Sequence, residues 1–109
     1  MMSRDADKNE ELYVVARVLE ASAKSEEEED STERAAVYAR AAEGAKNGRE
    51  LRVLTDTLGE DAQTEVAKRC VENLRLAVDE IEKEGRARIV DKVDDAVVAH
   101  LRAEYDSVS

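Results

Sequence analysis

Proline, tryptophan and phenylalanine are absent from the chain, and there is one cysteine, one histidine and four glycines. A lone Cys70 excludes an internal disulfide and any zinc site built from cysteines alone. Without proline, nothing in the 109 residues rigidly interrupts a helix. No apolar run approaches the roughly 18 residues needed to cross a bilayer, and Met1-Met2-Ser3-Arg4-Asp5 lacks the apolar stretch of a secretory signal. The expectation is therefore a cytoplasmic protein held together by packing alone.

What the chain does have is charge: 40% of its residues, with a formal net of −10. That sign opposes approach to phosphate backbones and anionic headgroups, so neither nucleic acid nor membrane is an expected partner. The other abundant residues, Ala, Leu, Glu and Arg, are good helix formers. We expect an all-α fold, a single helical domain over residues 1–109 arranged as an antiparallel four- to five-helix bundle with short Gly-containing turns. Residues 1–7 are expected to be a disordered N-terminus.

Apolar spacing sets the expected helices. The first opens with a capping box, Asp7 to Glu10, and buries Leu12, Val15, Ala16, Leu19 and Ala23, with Val14 and Val18 widening the face. A second starts between Ser25 and Ser31, where the acidic run Glu26 to Asp30 suits the positive end of a helix dipole, and presents Ala35, Tyr38, Ala39, Ala42 and Ala45. Small residues on that stripe, with Gly44 beside them, imply close helix packing. Asn47-Gly48 ends it. A short helix then carries Leu51, Leu54 and Leu58 up to Gly59. The longest, from about Glu60 to Glu84, turns Val66, Ala67, Cys70, Val71, Leu74, Ala77, Val78 and Ile81 inward and stops at Gly85. The last, about Arg86 to Asp106, buries Ile89, Val90, Val93, Ala96, Val97 and Leu101.

Chemistry is sparse by comparison. The acidic run lacks the alternating Asp/Asn pattern and turn glycine of a calcium loop, and it reads as a solvated first turn. His100 has Glu104 one turn on, but Val97 stands where a di-iron motif needs Glu, so no metal is expected. The isolated glycines make no phosphate loop, and no cofactor is expected. Tyr13, Tyr38 and Tyr105 read as boundary residues with wet hydroxyls. Cys70 and His100 lie equally far on either side of Gly85, so a helical hairpin turning there would bring them level. We expect proximity without catalysis, since no orienting group or oxyanion donor is evident. The chain thus reads as no enzyme: catalytic, cofactor and metal residues are none, no partner is required, and the expected state is a monomer. Consistent punctuation by glycines and caps suggests an engineered helical bundle without natural function. The alternative is a natural acidic helical adaptor or assembly subunit that binds other proteins, favoured by the heavy use of Val inside helices.

Overall fold

A computed structural model describes residues 4–27 and 29–107. Among these, six helices and no strands are present, packed as an all-α bundle: α1 (Arg4–Lys24), α2 (Asp30–Lys46), α3 (Leu51–Asp61), α4 (Glu65–Glu84), α5 (Arg88–Asp91) and α6 (Asp95–Asp106). The first of them is central. Five consecutive residues of α1, Leu12 to Ala16, are buried, because α2, α4 and α6 each pack against a different side of it, with α3 and α5 touching it more lightly. A helix apolar around most of its circumference needs such surroundings.

α1 begins at Arg4, inside the segment expected to be disordered, so Asp7 lies within the helix and caps nothing; Met1 to Ser3 fall outside the described residues. Asn9 has another task. It is buried, and its Nδ2 donates to the carbonyls of Ala45 at 3.1 Å and Arg49 at 3.2 Å, tying α1 to the end of α2. The Ala45 carbonyl belongs to the last turn of α2, where acceptors have no partner within the helix, and that of Arg49 to the connection that follows.

The α1–α2 interface is the most extensive in the molecule. Ala35, Ala41, Ala42 and Ala45 are buried, and their small side chains let the two backbones draw near. The acidic run mostly precedes α2 rather than forming its first turn; Glu28 lies outside the described residues, and no side chain caps the helix. Glu26 instead reaches Arg34 at 2.6 Å. Gly44 is buried under Leu54 of α3, and Gly48, at φ +79°, makes the left-handed turn between α2 and α3.

Two breaks fall where apolar spacing gave no sign of them. Gly59 does not end α3; it lies inside the last turn, and the chain breaks at Ala62 to Thr64. Thr64 caps α4 by accepting the Ala67 amide at 3.1 Å, and its hydroxyl also donates to Glu33 of α2. The expected last helix is likewise two. Lys92 to Asp94 separate α5 from α6, and Asp94 Oδ1 accepts the Ala96 amide at 2.7 Å to start α6 afresh. That restart shifts the helical phase, so α6 buries Val98 and Leu101 while Ala96 and Val97 face solvent. Gly85 ends α4 as expected, in the left-handed conformation at φ +81°.

Candidate functional site

The chemistry-bearing residues singled out by sequence are not brought together. Cys70 is 2% exposed on α4, next to the Tyr38 hydroxyl. His100 projects from α6 with its side chain 75% exposed, 3.8 Å from Glu104. The hairpin that would align them does not form, because the break at Lys92 to Asp94 sends α6 onto α1 instead of back along α4. Proximity is therefore corrected, for a reason of chain path rather than chemistry. No group of three or more His, Cys, Asp or Glu side chains that could hold a metal ion occurs among the described residues.

Tyr13 and Tyr38 are more buried than expected, whereas Tyr105 is the half-buried boundary residue the sequence suggests. Tyr38 lies in the core, where its hydroxyl accepts a hydrogen bond from Asn73 Nδ2 at 3.3 Å. Burial, with the neighbouring Cys70 thiol adding to it, pushes the phenol up to about 12. Tyr13 is also buried; its ring stands 5.5 Å from that of Tyr105 at a 53° tilt, with Lys46 Nζ 5.4 Å from its centroid. Burial raises both of these phenols as well.

Two arrangements remain that the folding of α1 through α4 does not by itself require. The first is a charge cluster between α1 and α6. Arg102 donates to Glu10 at 2.9 Å and to Glu11 at 2.8 Å. Glu11 is the unusual member, with its side chain 5% exposed. Its Oε1 takes the Arg102 bond, whereas Oε2 is buried with no hydrogen-bond partner among the described residues. The Glu10 carboxyl sits above its ordinary range because it is partly buried, and Arg102 only partly offsets this.

The second is a groove of about 460 Å³ along the side of the bundle. Val15 and Leu19 of α1 meet Leu76 and Ala77 of α4 there, and Ala87 and Ile89 close the far wall. Leu76 is 55% exposed at its edge. It falls off the buried stripe of α4: with Leu74 fully inside, a leucine two residues on must point elsewhere. At the polar rim the Arg88 amide donates to Glu80 at 2.8 Å, and Lys92 makes no ion pair among the described residues.

Set against family models, curated proteins and solved structures, the chain matches none. The charge cluster and the groove differ in what they offer. Neither holds a nucleophile next to a base, whereas an apolar groove with an exposed leucine offers surface to a second molecule. The cue in the sequence was the pair Leu74 and Leu76. Because both suit a helix, only their relative phase separates a core position from a surface one. No helix in the described residues is long and apolar enough to cross a membrane.

Proposed function

We propose that the chain is a small helical adaptor that binds another protein through the groove around Leu76. The observation that carries this reading is the half-exposed Leu76 at the edge of a groove floored by Val15, Leu19 and Ala77. A leucine held at a cleft edge presents apolar area whose burial by a partner is worth roughly 1.5–3 kcal/mol. The groove wall is built from three separate helical segments, so its shape is fixed by the fold before any partner arrives, which lowers the ordering cost of binding.

The natural adaptor gains further support over an engineered bundle from three features. α2, α3 and α5 begin without a side-chain cap. A carboxylate oxygen of Glu11 is buried and unpaired, and Leu76, Val53 and Val97 are exposed. Idealised sequences are chosen to avoid each of these.

Replacing Leu76 with a photo-crosslinking amino acid, and Val53 with the same group as control, tests the reading in extracts of the expressing cells. A protein captured at position 76 and not at 53 is then purified, and its affinity measured. Leu76→Asp should weaken binding at least tenfold and Val53→Asp should leave it unchanged. Equal capture at both positions, or equal affinity for both variants, would contradict the assignment.

A further inference from the structure

The packing of α6 differs from that of every other long helix. Its twelve residues bury two side chains, Val98 and Leu101, and it packs substantially against α1 alone. α2 and α4, by contrast, each pack against several helices. We infer that α6 is a hinged strap that undocks from α1 as a unit while α1 to α4 stay folded.

Three observations carry this. The first is local self-sufficiency. Asp94 caps the start of α6 by accepting the Ala96 amide, and the Ser107 amide bonds to Ala103 at its end, both within the segment. No backbone hydrogen bond joins it to α1 among the described residues, and once undocked a helix this short no longer protects its own amides from water. The second is the joint at Lys92 to Asp94, where helical structure lapses between α5 and α6. Rotation there moves α6 without disturbing α5, which stays anchored by buried Val90 and the bond from Arg88 to Glu80.

The third is the chemistry of the contact. Arg102 holds α6 to Glu10 and Glu11, with Arg17 and Glu104 at 3.9 Å and the ring pair Tyr13 and Tyr105 beside them. With α6 docked, the Glu11 carboxylate is buried with one hydrogen bond, from Arg102 to Oε1, and Oε2 has none among the described residues. A buried ionised group with an unmet acceptor opposes the state that buries it, and the opposition vanishes when water returns. The docked strap is thus held by the Arg102 pairs, the Tyr13–Tyr105 contact and the buried Val98 and Leu101, and opposed by the half-satisfied Glu11 carboxylate. Release uncovers Tyr13 on α1, whose ring otherwise packs against Tyr105.

Native-state hydrogen exchange on the full chain tests this. The amides of residues 98–106 should share one opening, at least tenfold more populated than the opening of the α4 amides around Leu74 and Val78. Arg102→Ala should raise exchange in α6 at least a further tenfold and leave α4 unchanged. If the wild-type α6 amides exchange only as slowly as those of α4, through the same global unfolding, the strap does not exist. Arg102→Ala accelerating α4 and α6 equally would overturn it too.

Discussion

Gly44 and Gly59 both lie inside helices, yet replacing each with alanine should move stability in opposite directions. Alanine is favoured over glycine in a helix interior by about 0.8–1 kcal/mol. At Gly44 a Cβ would come within 2.5 Å of Leu54 Cδ1, 2.9 Å of Cδ2 and 3.3 Å of Cγ. Leu54 is itself buried and cannot swing aside, and overpacking of this kind costs about 1–3 kcal/mol. Gly44→Ala should therefore lose about 1 kcal/mol net. At Gly59 the near atom is Arg75 Nη2 at 2.9 Å, the end of a flexible side chain. Moving it sacrifices only an exposed pair with Asp56 at 3.4 Å, worth a few tenths of a kcal/mol. Gly59→Ala should gain about 0.5 kcal/mol, the propensity term being diluted in a last turn. Urea unfolding of both variants resolves the difference of about 1.5 kcal/mol, which at this chain length separates their Tm values by roughly 6 °C. Repeating Gly44→Ala in a Leu54→Ala background removes the obstacle and should reverse its sign. If Gly44→Ala stabilises the wild type and the Leu54→Ala protein alike, α2 and α3 do not meet as described.

Other outcomes follow from the buried groups. Tyr38 holds its proton to about 12 in the fold against about 10 in an unfolded chain, so its contribution is complete below pH 10 and is lost as pH rises through 12. Absorbance at 295 nm should show one phenol ionising last, and Tyr38→Phe should remove that step; an unchanged titration would contradict the burial. The Glu10 carboxyl is raised above 4.5, so its proton favours the fold below that pH and the advantage fades as pH climbs through the raised value. A carbon-detected titration that places Glu10 at or under 4.5 would refute this. Cys70 should react slowly with a thiol probe in the native state, and His100→Ala should leave that rate unchanged, since the two are not neighbours. A rate that falls in the His100 variant would restore the pairing.

How far the sequence could be read depended on whether a feature was local. The stripe from Ala67 to Ile81 and the stop at Gly85 needed only helical spacing and a left-handed cap, and both are found. The breaks before Thr64 and Asp94 had local signals as well, an N-cap residue in each case. The apolar rhythm across Val90, Val93 and Val97 nevertheless runs straight through the second break. Because a one-residue change of phase rotates a helix by about 100°, the missed break at Asp94 was enough to exchange Val97 for Val98 in the core. The candidate sites were less legible. Arg102 meets its carboxylates across more than 90 residues of chain, and the groove needs α1, α4 and α5 assembled before its edge exists. No spacing rule reaches across those distances.

The groove is the central claim, and backbone amide shifts of the labelled protein, followed as a purified partner is added, test it most directly. Saturable shifts confined to Val15, Leu19, Leu76, Ala77 and Ile89, and absent in Leu76→Asp, are the expected result. Shifts gathered instead around Val53 on α3, or surviving undiminished in Leu76→Asp, would place the binding surface elsewhere and end the proposal.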